Sequence, residues 1–407
     1  MKTLKSLVRR ALIPTLAVIT ALLCGGIVII LTDFENLSKI GTDPLAGIGG
    51  AVGGVLSGYG AMIAGAFGDP ARILTALQGG TEREIATAIR PLTETLVAAT
   101  PLIFVGLAVA ISFRTGMFNI GGDGQLIVGA LGATTVAIAF QNSGVPMLVI
   151  LVLSIVAGAL SGAFWGFIPG FLKARTGAHE VITTIMLNYI AAQVVLFALR
   201  GEFLRNPGAG GQPISKVMTS WVDVPSIITL PAIRLDYGFV AALLMAGVAS
   251  WLLFRTTKGF ELRAAGFNLT AARYAGMSAG GSMMLGMALS GGLAGMGGGF
   301  MVIGTVGQLS NDLSGGIGFN AIALALLAGL RPSGVVMAAL LFGALTTGGK
   351  VMGIESGIPF DLLFFIMAMV IMFVAAPGLI RSIWRVKVAG PAPEVASITP
   401  TAPAEPV

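Results

Sequence analysis

The chain has 407 residues, of which 55% are hydrophobic and 10% charged, whereas ordinary globular domains carry about 25% charged residues. A mean hydropathy of +0.92 and 59 glycines exclude a soluble enzyme of this length and point to a polytopic membrane protein with closely packed helices. One cysteine excludes a disulfide framework, a Cys-ligated zinc site and an iron–sulfur cluster, and one histidine excludes a multi-His metal centre. No metal and no cofactor is expected.

A bilayer core of about 30 Å takes roughly 20 apolar residues per helix. Ten segments fit, at residues 11–31, 93–112, 124–140, 145–169, 181–199, 237–254, 281–303, 318–330, 333–348 and 360–376. The expected fold is therefore all-α, a helical membrane bundle of about ten spans. It divides into a cytoplasmic N-terminus (1–10), a transmembrane domain (11–387) and a disordered cytoplasmic tail (388–407) that holds five prolines.

In chain order, Arg9 and Arg10 ahead of an apolar run mimic a signal peptide, and Ala21 to Gly25 resembles a lipoprotein cleavage box. Leu23 stands where a small residue is needed before Cys24, so an uncleaved first helix is expected. Residues 45–67 are uncharged but glycine-rich, and form either an eleventh span or an external or re-entrant segment. The second reading is preferred, because a crossing there would turn most later basic loops outward.

Asn119, Asp123 and Gln125 lie in an apolar stretch interrupted by helix-averse residues, Phe118-Asn119-Ile120-Gly121-Gly122-Asp123-Gly124-Gln125. A discontinuous helix with freed backbone groups lining a cavity is one reading, and an ordinary turn near Arg114 is the other. Gly158, Gly162, Gly166 and Gly170 share one helix face, as do Gly291, Gly295 and Gly299. Tight packing within the bundle is the expected use of these ridges, and a dimer interface is the alternative.

Next to His179, Glu180, Thr183, Thr184 and Asn188 fall near helical spacing, with Gln193 beyond them, as a polar stripe or a set of helix–helix hydrogen bonds. Residues 255–279 form the longest basic loop and contain two short helical stretches. An amphipathic helix there suits docking into a soluble subunit or lying among lipid headgroups. Catalytic motifs fail on inspection. Gly343 to Lys350 resembles a phosphate-binding loop, yet Ala344 takes a glycine position and no Ser or Thr follows Lys350. His179-Glu180 lacks a second histidine for zinc.

Alternating ten spans from an inside N-terminus puts fifteen of the 24 Lys and Arg on the inner side, and most Asp and Glu outside. The net charge of +6 is thus a topology signal rather than a nucleic-acid footprint, and both termini are expected in the cytoplasm.

Five stretches in order then carry a resemblance: 101–108 (PLIFVGLA), 116–125 (GMFNIGGDGQ), 180–190 (EVITTIMLNYI), 263–268 with 271–276 (RAAGFN, AARYAG), and 316–327 (GIGFNAIALALL) with Arg331-Pro332-Ser333-Gly334. Together they resemble the permease subunits of bacterial ATP-binding-cassette (ABC) importers, in the branch of nucleoside permeases served by a lipoprotein receptor and related to simple-sugar permeases.

The resemblance implies a pathway shared by two permease subunits, identical or different, above two ATPase subunits, with a periplasmic or lipoprotein solute-binding protein outside. It implies the bacterial inner membrane as location and ATP hydrolysis on a separate subunit, so this chain is not expected to be an enzyme. Pathway candidates are Asn119, Asp123, Gln125, Glu180, Thr184, Asn188 and Asn320. Arg263, Gly266, Asn268, Ala271, Ala272, Tyr274 and Gly276 match the loop that couples to the ATPase. Asp123 stands where the family more often has Glu, His179 where Asn is usual and Asn320 where an acid is common. Phe118-Asn119 is echoed by Phe319-Asn320, as an inverted repeat requires. Membrane lipids are the remaining expected partner. Nucleosides lead as solute and simple sugars follow. A proton- or ion-coupled carrier using Asp123 and Glu180, and an intramembrane transferase, are the rival classes.

Overall fold

The structure, a computed structural model, describes residues 2–39, 41–359 and 361–386. The expected tail at 388–407 lies outside the described residues. The helices in chain order are α1 (Lys2–Thr32), α2 (Phe34–Lys39), α3 (Pro44–Phe67), α4 (Pro70–Leu77), α5 (Glu82–Arg114), α6 (Gly122–Ala139), α7 (Met147–Thr176) and α8 (Glu180–Arg200). After a long irregular segment come α9 (Tyr237–Arg255), α10 (Thr257–Phe267), α11 (Leu269–Tyr274), α12 (Ala279–Phe300), α13 (Ile317–Leu327), α14 (Pro332–Ser356), α15 (Asp361–Ala375) and α16 (Pro377–Ile383). A π-helical turn, Met301–Val306, extends α12.

Among the described residues, nine helical stretches are long and apolar enough to cross a membrane, or ten if α15 and α16, bent by 92° at Ala376, count as one. There is no strand among them, only isolated bridges. The all-helical membrane fold expected from composition is observed.

The structure defines two segments more closely than the sequence reading does. Residues 45–67 form one uninterrupted helix, started by Asp43, whose carboxylate accepts from the Ala46 N–H, and by Pro44 in the first turn. Its glycines lower hydropathy but serve packing. Gly58 and Gly65 admit Ile358 and Val351, and the Met62 backbone seats against Gly348 of α14. Conversely, 318–330 does not form a full-length span by itself. Its helix has 11 residues and extends about 16 Å. Gly329 and Leu330, both at positive φ, end it in a turn that the apolar run conceals.

The glycine ridges pack inside the chain. The α7 ridge meets α12 backbone to backbone. A methyl on Gly162 would overlap the Gly291 carbonyl oxygen, one on Gly295 the Gly158 carbonyl, and one on Gly298 the Leu126 carbonyl of α6. Van der Waals contact and interhelical polar contacts hold helices together where no hydrophobic driving force acts between them, and both need this close approach.

Contacts define two ends of the bundle. At one, the Arg114 Nε donates to the Leu330 carbonyl at 2.6 Å, Gly266 lies against the Arg114 backbone, and Gly280 neighbours Ala174. This basic end gathers the loops around Arg114, Lys173, Arg255 to Arg273 and Arg331. At the other, residues 201–236 form an irregular cap. Its Trp221 Nε1 donates to the Ala137 carbonyl of α6 at 3.1 Å, Ser215 and Leu309 are joined by two hydrogen bonds, and Arg234 pairs with Glu94 of α5.

Replacing Gly162 by Ala is expected to lower the melting temperature in detergent, the overlap costing on the order of 1–3 kcal/mol. The same change at Gly247, an exposed α9 position with nothing within 4 Å, is expected to leave it unchanged or slightly raised. Equal melting of the two variants would refute the packing assignment.

Candidate functional site

The chain reverses between α5 and α6. Gly116 adopts φ +75°, a left-handed turn that glycine favours, and rests against Gly266 of α10. Residues 117–120 then run into the bundle outside any helix. In an apolar medium every backbone group freed there needs a partner within the protein. The side chains singled out in the sequence supply them.

Asn119, fully buried, donates to Gln125 Oε1 at 3.0 Å and to Ser290 Oγ of α12 at 2.9 Å, and accepts from the Gly121 N–H at 2.8 Å. Asn188 of α8 accepts from the Gly124 N–H and donates to the Ile120 carbonyl, both at 2.9 Å. Thr184 Oγ1 accepts from the Ile120 N–H at 3.4 Å. Five of the seven pathway candidates, counting Asp123, thus cluster around one interrupted helix, which favours the discontinuous-helix reading over a plain turn.

Asp123 joins this break to a second one. Its Oδ1 accepts from the Gly318 N–H at 2.8 Å. Gly318 packs directly on the Asp123 backbone. The N-termini of α6 and α13 therefore meet, and both helix dipoles direct partial positive charge toward the one carboxylate. From this junction α6 runs to the cap, ending near Trp221, while α13 runs to the basic end, ending near Arg114. Phe118-Asn119 precede α6 and Phe319-Asn320 lie in the first turn of α13, and the two helices run in opposite directions from the junction.

The remaining candidates are placed differently. Glu180 pairs with Lys173 of α7 at 2.9 Å and is not a free carboxylate. Asn320, half-buried, lies in the first turn of α13, beyond the hydrogen-bonded cluster. His179 and Gln193 are exposed. Ser290 was not singled out from sequence. It is a small hydroxyl among glycines, and only the fold brings it to the break.

At the basic end α10 and α11 form a bent pair. Gly259 and Gly266 press one face of α10 on the backbones of α9 and of the α5 end, and Arg263 donates to the Leu253 carbonyl at 2.8 Å. Asn268 caps α11 by accepting from the Ala271 N–H at 2.9 Å. Ala272 is buried, while Ala271, Arg273, Ala275 and Gly276 are exposed. Phe267 and Tyr274 stand out at 90% and 89% exposure.

The cap contains two carboxylates outside the spans that the sequence reading did not single out. Asp236, 7% exposed, caps α9 by accepting from the Gly238 N–H at 2.8 Å. Burial, together with the charge of Asp223, raises its pKa to about 6. Burial also raises that of Asp223.

The profile of the family described as "Branched-chain amino acid transport system / permease component" matches residues 92–375. The chain belongs to this permease family. It is 36% identical over 371 residues to the guanosine ABC transporter permease protein NupP of Bacillus subtilis, a match covering 91% of this chain and 94% of that protein. It is 35% identical to the nucleoside ABC transporter permease protein NupB of Lactococcus lactis, over 72% of this chain and 81% of that one. Similarity to the glucose ABC transporter permease protein TsgB13 of Haloferax volcanii is 36% over 69% of this chain and 75% of that one. No solved structure matches the chain. The permease is a multi-pass ABC transporter component, and its relatives are transport components rather than catalysts. This places it in neither rival class, ion-coupled carrier or transferase.

Replacing Asp123 by Ala leaves the buried Gly318 N–H unpaired, at about 1–3 kcal/mol. The permease is expected to melt several degrees lower, with a smaller loss for Asp123→Asn; unchanged melting of the Ala variant would contradict the junction. For Asp236, a folded pKa above the unfolded 3.8 means that the folded state binds the proton more tightly. Its ionisation therefore costs stability above pH 6, and that cost disappears as pH falls toward 4. Asp236→Asn keeps the cap without the charge, so it is expected to melt higher than wild type at pH 7.5, with the difference shrinking as pH falls through 6 and vanishing only below 3.8.

Proposed function

We propose that this permease is one half of the membrane domain of a bacterial importer that carries nucleosides across the inner membrane. The likeness to a guanosine permease over 91% of the chain carries this reading. The chemistry of the break supports it. Asn188 and Asn320, both partly exposed, offer amides, and Lys173 beside the start of α8 is already paired with Glu180. Such groups suit a neutral solute rich in hydroxyls and ring nitrogens. A zwitterionic amino acid needs an unpaired charge of each sign. A simple sugar is the second reading, favoured by the likeness to a glucose permease.

In this reading Asp123, Glu180, Asn188 and Asn320 line the path, while Asn119, Gln125 and Thr184 hold the broken helix in shape. The basic end faces the cytoplasm, as do both termini, and residues 11–387 form the permease domain. A solute-binding protein delivers at the cap. The loop at 255–279 takes the ATPase subunit, with Phe267, Arg263, Gly266, Asn268, Ala271, Ala272, Tyr274 and Gly276 forming or supporting the contact. ATP-driven closure of the ATPase subunits moves α10 and α11 as levers on α5 and α9. A second permease, identical or different, completes the path. ATP is hydrolysed on the separate subunit, so the permease breaks no covalent bond.

The test is uptake of labelled guanosine, uridine and ribose in cells with and without the gene, before and after collapse of the proton gradient. Nucleoside uptake that needs the gene and survives uncoupling is expected. Loss of ribose uptake alone would select the sugar reading, and unchanged uptake of all three would refute both. For the coupling surface, Phe267→Ala with Tyr274→Ala is expected to lower co-purification of the ATPase subunit at least ~tenfold, as for exposed aromatic anchors. Melting should not change.

A further inference from the structure

Beside α10 lies an open groove of about 830 Å³ whose walls include Phe254, Arg255, Lys258, Phe260, Arg263 and Met277. Its charge is unbalanced. Glu261 lines it too, but is paired with Lys258 at 2.9 Å. Arg255 has no ion-pair partner among the described residues, and Arg263 spends its Nε on a carbonyl while its guanidinium stacks over the Phe254 ring at 5.3 Å. Two cations are left in surplus, and the groove calls for an anion.

Where Arg255 sits narrows the choice. It closes a stripe on α9 formed by Leu244, Val248 and Trp251, at intervals of four, three and four residues, all exposed. Such spacing puts them on one helix face. The stripe is the outer surface of an apolar span, and Trp251, at 61% exposure one turn before the span ends, stands where indole rings settle at a membrane interface. A ligand that follows the stripe and ends in the groove has an apolar tail and an anionic head.

The geometry points to a binding site for an anionic phospholipid. Its acyl chains lie along Leu244, Val248 and Trp251, and its phosphate sits against Arg255, with Arg263 behind it. The site adjoins the α10–α11 pair, so occupancy steadies the element assigned to ATPase contact. An acidic segment of a soluble subunit satisfies the cations but has no use for the apolar stripe, and is therefore the less favoured occupant. The assignment is independent of which solute is carried.

The test titrates phosphatidylglycerol and phosphatidylcholine onto the purified permease in detergent, with bound lipid counted by native mass spectrometry. Wild type is expected to retain phosphatidylglycerol over phosphatidylcholine. Arg255→Gln is expected to weaken phosphatidylglycerol about fivefold, from one lost cation, without changing phosphatidylcholine. Arg175→Gln, a charge change at the end of α7, should retain phosphatidylglycerol as wild type does. Four outcomes would each overturn the site: retention by Arg255→Gln equal to wild type, equal loss in Arg175→Gln, displacement of the lipid by inorganic phosphate at matched concentration, or loss of the ATPase subunit from Arg255→Gln while the lipid is kept.

Discussion

A helix broken inside an apolar medium must find partners for every backbone group it frees, and the rest of this structure is arranged around that demand. Two helices begin in the middle of the bundle, α6 and α13, and Asp123 is shared between them. It belongs to the first turn of α6 and accepts from the backbone of α13. One carboxylate thus answers two helix dipoles and fixes how two oppositely directed half-helices meet. Around it the amides of Asn119, Gln125 and Asn188 take up the remaining donors and acceptors. A segment held this way can present polar groups at mid-depth without exposing bare backbone to lipid.

The arrangement depends on close helix approach. Ser290 reaches Asn119 from α12, and α12 can come that near because glycine faces glycine along α7 and α12 and because Gly298 lies on the α6 backbone. A chain that is one-seventh glycine would be a poor soluble helix former. Here the residues that weaken individual helices let backbones touch. The same logic applies at the basic end, where Gly116 and Gly266 bring the start of the broken segment onto α10. Motion of the α10–α11 pair therefore reaches the break through one short stretch of backbone, Gly116 to Gly121.

How far this was legible from sequence varied with the kind of signal. Apolar runs flanked by cations located most spans, since hydrophobic length and charge act locally. The glycine ridges and the polar interruption were also visible, because periodicity and helix-averse composition are local too. Residues 45–67 read as external or re-entrant because glycine lowers hydropathy and a crossing would turn the later basic loops outward. That they form one helix whose glycines pack on α14 was not visible locally. Residues 318–330 passed for a span since an apolar run conceals the turn at Gly329 and Leu330. The Lys173–Glu180 pair, the reach of Ser290, and the buried Asp223 and Asp236 depend on tertiary placement, which no single window of sequence encodes.

The central claim is that the paired helix breaks lie on the solute path. Side-directed thiol labelling tests it most directly. With Cys24 replaced by Ser, the single cysteine of the chain is removed, and Asn188→Cys and Asn320→Cys can be probed one at a time in the assembled transporter. The account predicts labelling of both by small hydrophilic thiol reagents, slowed by guanosine, with a cap position such as Gly208→Cys labelled at the same rate with or without it. Failure of both positions to label while Gly208→Cys reacts, or labelling that guanosine leaves unchanged, would contradict the account.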